Sequence, residues 1–162
     1  MTITPHGLCP TEQQTYLGEP IYEYTAQLTE LTDYGASLAD VLFGAASPPA
    51  AGLRCDASFE GQVTGPRLWG TVKGTDFGNV RADGRAELHI HAQITTTEGK
   101  LIALAADGVA QVQPGTPVAQ LRENVTLTSS HAEYAGLNAL QIWAVGTANF
   151  ATRQLRVKAY AG

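Results

Sequence analysis

Basic residues are few in this sequence, and they do not cluster. The chain of 162 residues has ten Lys and Arg against fifteen Asp and Glu, which gives a formal net charge of −5. Nucleic-acid binding depends on Lys and Arg side chains that neutralise phosphates, so we expect no nucleic-acid partner. Charged residues make up only 15% and hydrophobic residues 44%, as is typical of a folded chain. The length predicts a single domain, 1–162.

Long hydrophobic runs and a leader sequence are also lacking. No run of about 18 apolar residues, the length that a membrane-spanning helix needs, is present. The N-terminal segment contains Pro5, His6, Glu12 and Gln13, where a signal peptide has a basic end and an apolar stretch. We therefore expect a cytoplasmic protein with no membrane partner, and we expect residues 1–15 to form a loosely held arm.

Motifs for metals and cofactors are missing as well. The two cysteines, Cys9 and Cys55, are too few and too far apart for a zinc knuckle or a disulfide scaffold. His89 and His91 could present two imidazoles to a metal, with Asp76 or Glu87 as a carboxylate ligand, but two imidazoles do not make a site, and we expect no metal. Walker, G-x-G-x-x-G, G-x-S-x-G and H-E-x-x-H motifs are absent, so we expect no cofactor.

The chain does have a strong alternation of apolar and polar residues with a period of two. It recurs from Pro20 to the C-terminus and is rich in Val, Ile, Thr and Tyr, which predicts β-strands. We predict about nine strands, at 20–31, 54–63, 66–73, 76–82, 85–97, 100–112, 117–129, 137–149 and 153–160. Turn residues separate several of them, at Gly74–Thr75, Asp83–Gly84, Glu98–Gly99 and Pro114–Gly115. These hairpins predict an all-β fold, a single closed antiparallel β-barrel, because closure removes exposed sheet edges; a two-sheet sandwich is the alternative.

One segment departs from the alternation. Ser37 followed by Asp40 is typical of a helix N-terminus, and the leucines and valine between Leu38 and Leu42 share one helical face, which predicts a short helix. The Pro- and Gly-containing stretch that follows predicts one long connection over residues 33–53. That connection either covers a barrel mouth as a lid or plugs a barrel end.

Several short motifs follow one another in order: Gly65–Gly70, Asp76–Phe77, Arg81–Gly84, Leu88–His91 and Tyr134–Asn138. This order resembles the family known as domain of unknown function 3237. Its members typically show a G-P-x-L-x-G turn and strand, a D-W pair, an R-x-D-G turn, an L-D-V-R-Y strand and a Y-x-W-L-N segment. The resemblance covers about residues 54–150. It implies a closed antiparallel barrel of the calycin-like kind with an interior cavity, and it implies no particular reaction.

Two departures from the family pattern lie at positions that could carry chemistry. The Asp and Arg of L-D-V-R-Y are His89 and His91 here, and the Trp of Y-x-W-L-N is Gly136. Because the two histidines are two residues apart on a strand, their rings share one face. If that face lines the barrel, one ring acts as a base and the other as an acid near neutral pH. If Leu88 and Ile90 fill the interior instead, both rings lie outside in solvent.

Asp76 matches the Asp of the family's D-W pair. A carboxylate at that position could orient a histidine ring or act as a general base, or it could cap a turn after Gly74–Thr75. The candidate substrate-binding residues are those able to stack on a ligand or to bind an oxygen that gains negative charge: Arg67, Trp69, Phe77, Tyr134 and Asn138. Their structural alternatives are an ion pair for Arg67, a loop anchor for Tyr134 and a backbone hydrogen bond for Asn138.

These residues predict a cofactor-independent enzyme with general acid and base histidines in a barrel cavity. It would be an isomerase, cyclase, lyase or hydrolase acting on a hydrophobic carbonyl or aromatic compound. The alternative is a non-catalytic binding or carrier barrel for a small apolar ligand. The low surface charge is compatible with a homodimer.

Overall fold

The fold is a closed barrel of eight antiparallel strands, in which β1 pairs with both β2 and β8. A computed structural model describes residues 17–162, so the arm predicted at 1–15 lies outside the described residues. The strands are β1 Glu19–Asp33, β2 Leu53–Thr64, β3 Gly70–Val80, β4 Ala86–Thr96, β5 Leu101–Val112, β6 Val118–Thr128, β7 Ile142–Asn149 and β8 Gln154–Ala161. The predicted all-β closed antiparallel barrel is confirmed.

The alternation of the sequence sets the two faces of the wall. In β6, Ala119, Leu121, Val125 and Leu127 are buried, and exposed or half-buried polar residues alternate with them. Side chains in a strand point to opposite faces in turn, so each apolar series faces the barrel interior. The turns at Gly84 and Gly99 adopt the positive φ angles that tight hairpins need.

The predicted count of nine strands was too high by one, because Gly74–Thr75 is not a turn. These residues lie in the middle of β3, which runs unbroken from Gly70 to Val80. Gly74 faces Ala92 across the ladder, and a Cβ at position 74 would overlap the Ala92 side chain. The glycine therefore serves a close approach of two strands and not a change of direction.

Two other predicted boundaries also differ from the structure. The strand predicted at 66–73 begins only at Gly70, because residues 65–69 form the loop between β2 and β3. The strand predicted at 137–149 begins at Ile142, and a 3-10 helix occupies Ala132–Leu137.

The barrel is packed differently at its two ends. The end beneath the 3-10 helix is filled by large aliphatic residues with no exposed surface, among them Ile94, Ile102 and Leu127. A short helix, α1 at Leu38–Leu42, covers the opposite end. The Ser37 hydroxyl accepts a hydrogen bond from the Asp40 backbone N–H at 3.2 Å, which confirms the predicted N-cap. Within residues 17–162, no helix is long and apolar enough to cross a membrane.

Candidate functional site

A cavity lies inside the barrel beneath α1. It has a volume of about 80 Å³, which is several times the space that one water molecule occupies. Its wall is mostly apolar and is formed by residues of α1, of the strands and of the β7–β8 turn, among them Leu38, Leu42, Phe59, Leu121, Phe150 and Leu155. A space of this kind suits a small apolar group or a few waters.

Three carboxyl groups interrupt this apolar wall, and two of them, Glu123 and Asp76, stand at inward positions of their strands, whereas Glu87 accepts a hydrogen bond from Asn79. Glu123 occupies an inward position of β6 between Leu121 and Val125, and it is only 4% exposed. Asp76 occupies an inward position of β3 and lines the same cavity. Buried carboxylates cost free energy unless they are paired or hydrogen-bonded, so their presence in an otherwise apolar barrel marks the site.

The two carboxyl groups differ in their hydrogen bonds. The β3–β4 ladder is interrupted between Asp76 and Asn79, and there Asp76 Oδ1 accepts the backbone N–H of His89 at 2.8 Å. Glu123 Oε1 is buried and has no hydrogen-bond partner among the residues that the structure describes. Such unpartnered atoms are rare in folded proteins. Glu123 is therefore available to a ligand or water in the cavity.

Burial shifts the protonation of both acids toward neutral pH. Desolvation raises the pKa of Asp76 to about 6, against the opposing effect of the His89 N–H. Desolvation, together with the negative charge of Asp76, raises the pKa of Glu123 to about 7. Near neutral pH, Asp76 therefore ionises more readily than Glu123. A base and an acid thus share one apolar cavity.

Aromatic rings stack in series along one side of the barrel interior. The ring centroids of Tyr22 and Tyr24 are 6.3 Å apart, and those of Tyr24 and Phe59 are 6.0 Å apart. Tyr24 and Phe59 line the cavity. Burial raises the pKa of both tyrosines, so their hydroxyls stay protonated. The Tyr22 hydroxyl, like Glu123, is buried with no hydrogen-bond partner in the described part of the chain.

Cys55 is another inward residue of the same cavity. Among the residues that the structure describes its thiol has no disulfide partner, and it is buried; burial raises its pKa to about 12. Only the thiolate is strongly nucleophilic, so Cys55 reacts slowly near neutral pH. Cys9 lies outside the described residues.

The structure places His89 and His91 on the outer face of β4, while Leu88 and Ile90 are buried inside. Of the two alternatives, the structure shows the second: the apolar series of β4 fills the barrel, and neither imidazole projects into the cavity as the catalytic role required. His89 Nδ1 lies 3.0 Å from Asp107 Oδ1 on the outer surface. The His91 ring packs edge to face against Phe77, with 6.0 Å between centroids.

The predicted substrate-binding residues do not line the cavity. Arg67 and Trp69 lie in the β2–β3 loop, and both are exposed. Phe77 is on the outer face of β3, beneath the Arg54 guanidinium. Tyr134 packs against the core from the 3-10 helix, where a loop anchor was the alternative.

Asn138 follows the same 3-10 helix and binds backbone atoms. Its side chain accepts the Ser129 N–H and donates to the Ser129 carbonyl, both at 2.8 Å. Asn138 therefore hydrogen-bonds to the backbone, which was the structural alternative to substrate binding. Of all the residues proposed from the sequence, Asp76 alone lies on the cavity wall. It does so from within a strand, so the alternative of a turn cap does not apply.

Glu123, Tyr22 and Tyr24 were missed by the sequence analysis. A signal for Glu123 was present, because a glutamate stands in an otherwise apolar inward series from Ala119 to Leu127. The signal for the tyrosines was weak, since Tyr is common in strands. In residues 17–162 there is no group of three or more His, Cys, Asp and Glu residues placed to hold a metal ion.

Solved structures similar to this chain share its fold. A Clostridium acetobutylicum protein of unknown function has a TM-score of 0.72 at 19% identity, covering 89% of this chain and 97% of that one. A β-barrel-like protein from Acinetobacter baumannii has a TM-score of 0.67 at 20% identity, covering 88% and 93%. A protein from Penicillium herquei, described as an enzyme, has a TM-score of 0.54 at 22% identity, covering 97% and 100%.

Sequence comparison gives a family and no characterised relative. No curated protein matches the chain. The sequence model of one family, described as protein of unknown function (DUF3237), matches residues 51–161. That span includes β2 to β8 and both carboxyl groups of the cavity. The chain therefore belongs to the DUF3237 family.

Proposed function

We propose that the protein is a cofactor-independent enzyme that transfers protons on a small, mainly apolar carbonyl or aromatic compound held in the barrel cavity. The observation that carries the proposal is the pair of inward-facing carboxyl groups, half-buried Asp76 and buried Glu123, on the wall of one apolar cavity. Relative to the expectation from the sequence, the acid and base roles move from the histidines to these carboxyl groups. His89 contributes its backbone N–H, which holds Asp76.

The reaction that fits these groups begins at a carbon next to a carbonyl. The Asp76 carboxylate takes the proton from that carbon, and the C–H electron pair forms a carbon–carbon double bond. Glu123 in its protonated form gives its proton to the carbonyl oxygen, so that an enol forms. When the substrate is a β,γ-unsaturated ketone, this enol is a conjugated dienol. The proton held by Asp76 then returns to the γ-carbon, the hydroxyl proton returns to Glu123 as the carbonyl re-forms, and the double bond has moved into conjugation, which completes an isomerisation. The low dielectric constant of the cavity strengthens the electrostatic interactions of both carboxyl groups with the substrate during these steps.

The similar fold of the Penicillium herquei protein described as an enzyme is compatible with catalysis in such a barrel. It does not indicate which reaction this chain performs, since one fold supports many functions. The proposal rests on the carboxyl pair itself.

Deuterium exchange tests the proposal without knowledge of the natural substrate. Small ketones such as acetone and butanone are incubated with the protein in D₂O, and NMR follows the loss of the protons next to the carbonyl. We expect exchange faster than in protein-free buffer, and a loss of roughly 100-fold or more of that acceleration in Asp76→Asn and Glu123→Gln. The matched control is His91→Ala, which removes a titratable ring from the outer face.

The pH dependence of the exchange provides a second readout. The rate should rise as Asp76 ionises near pH 6 and fall as Glu123 loses its proton near pH 7, so the profile should be bell-shaped with its maximum between them. No acceleration with any ketone, or full acceleration in Asp76→Asn, would contradict the proposal.

A carrier is the second candidate function, and the nearly apolar wall around the stacked Tyr24 and Phe59 rings favours it. In a carrier the carboxyl groups would only hydrogen-bond the ligand. Binding of a ketone without exchange of its protons, together with a modest loss of affinity in Glu123→Gln, would support the carrier over the enzyme.

A further inference from the structure

We infer that the cavity accepts uncharged or cationic ligands and rejects anions, because carboxyl groups lie on its wall and no basic side chain of residues 17–162 does. The inference rests on the proposed function in taking the cavity as the place where the ligand binds. It adds the charge class of that ligand, which the carboxyl pair alone does not define for an enzyme or a carrier.

The basic residues of the chain lie away from the cavity wall. All ten Lys and Arg residues of the chain lie within the described range, and every one except Lys100 is exposed. Lys100 stands at the β4–β5 turn, far from α1, and pairs with Glu98 and Glu133. His89, His91 and His131 are exposed as well. Within residues 17–162, therefore, no positive side chain lines the cavity.

Acidic residues, by contrast, are present on the cavity wall. Asp76, Glu87 and Glu123 all line the cavity. Glu87 is satisfied, because Asn79 donates to it at 3.2 Å and Arg85 lies 3.6 Å from it. Glu123 Oε1 has no such partner in the described part of the chain. The wall thus presents negative charge and an unused acceptor, which fits a ligand with a hydrogen-bond donor or a positive charge.

An anion that entered would lose its water and meet charges of its own sign with no counter-ion. Both effects disfavour binding, and like charges within a few ångströms repel strongly in a poorly solvated site. The faces of Tyr24 and Phe59 add to this preference, because aromatic faces attract cations. Arg67, a residue predicted to bind a substrate oxygen that gains negative charge, is exposed in the β2–β3 loop, so it gives the cavity no means of binding an anion.

Cys55 can report this preference, because its thiol lines the cavity. The sulfur lies beside Gly78, where an added Cβ would be 3.0 Å from it. In a Cys9→Ser variant Cys55 is the sole cysteine. The probes are three methanethiosulfonates of similar size with an ethyl, an aminoethyl or a sulfonatoethyl group. The thiolate sulfur attacks the thiosulfonate sulfur, a disulfide forms, methanesulfinate leaves, and the thiol proton goes to water.

Mass spectrometry follows the three reaction rates, each divided by the rate of the same reagent with 2-mercaptoethanol. This division removes the intrinsic reactivity of the reagents, and the high thiol pKa slows all three equally. For charges about 6 Å apart at an effective dielectric constant of about 20, we expect the neutral and cationic reagents to react at least ~100-fold faster than the anionic one. In a variant that also carries Asp76→Asn and Glu123→Gln, this ratio should fall to about tenfold or less.

Three results would overturn the inference. The anionic reagent could react as fast as the neutral one, or the cationic reagent could react as slowly as the anionic one, which would mean exclusion of any charge. The third is that no reagent reacts in the folded protein while all react after unfolding in urea, because the cavity would then admit no small molecule. Failure of the proton-transfer proposal is a separate result, since absence of deuterium exchange leaves the order of the three rates unchanged.

Discussion

Replacing Glu123 by glutamine should make the protein more stable at alkaline pH and leave it without proton-transfer activity. Glutamine has nearly the same shape as glutamate but cannot ionise, so the barrel keeps its packing. In the wild type, the buried carboxyl group must either stay protonated or carry an unpartnered charge inside the barrel. That requirement makes the stability of the wild type depend on pH, and the variant lacks this contribution.

The magnitude follows from the pKa of Glu123, which burial raises from its ordinary value of 4.5 to about 7. Below pH 4.5 the group is mostly protonated in both the folded and the unfolded chain, so its ionisation does not change the free energy of unfolding. Between pH 4.5 and 7 the unfolded chain ionises and the folded one resists, so folding becomes less favourable as the pH rises. At about 1.4 kcal/mol per pKa unit, the loss above pH 7 amounts to about 3 kcal/mol.

Urea unfolding of wild type and Glu123→Gln at a series of pH values from 4 to 8 measures this effect. The stability of the variant relative to wild type should rise with pH and level off above pH 7, after a gain of about 3 kcal/mol. Glu60→Gln, which changes an exposed glutamate on β2, is the matched control and should show no such rise. A difference between Glu123→Gln and wild type that stays constant from pH 4 to 8 would refute the reasoning.

Three further predictions concern residues outside the cavity. His91→Ala should change ketone exchange by less than about twofold, because the ring lies on the outer face; a large loss in the NMR assay would return the histidine to the mechanism. Asn138→Ala should lower the free energy of unfolding by about 2 kcal/mol, since it removes two hydrogen bonds to the Ser129 backbone; an unchanged urea midpoint would contradict this. Gly108→Ala should destabilise by more than about 2 kcal/mol, because the added Cβ would overlap the Arg122 carbonyl oxygen, and a urea midpoint equal to that of wild type would show that the wall yields there.

The fold was largely predictable because its signals are local. Alternation with a period of two, and the turn residues at Asp83–Gly84 and Glu98–Gly99, act over a few neighbouring residues and predict strands and hairpins directly. Gly74 led to a wrong strand count. A glycine is required at this position because Ala92 on the next strand approaches too closely for a Cβ atom. A contact between distant parts of the chain leaves no local pattern that distinguishes such a glycine from a turn glycine.

The site was less predictable, because alternation divides a strand into two faces without telling which face is inside. In β4, Leu88 and Ile90 lie inside the barrel, and the two histidines lie on its outer face. Asp76 was found through the family resemblance, and Glu123 was not, although a charged residue inside the apolar series of β6 is an unusual pattern. What made Glu123 a candidate is its burial without a partner, and only the folded barrel reveals that.

The central claim is that two carboxyl groups inside the barrel are poised to exchange protons near neutral pH. NMR titration of the side-chain carboxyl carbons, assigned with Asp76→Asn and Glu123→Gln, tests it most directly. The account predicts that Glu123 titrates near pH 7 and Asp76 near pH 6. If both groups titrated near pH 4, like carboxyl groups in water, the cavity would not hold an acid and a base at neutral pH, and the claim would be contradicted.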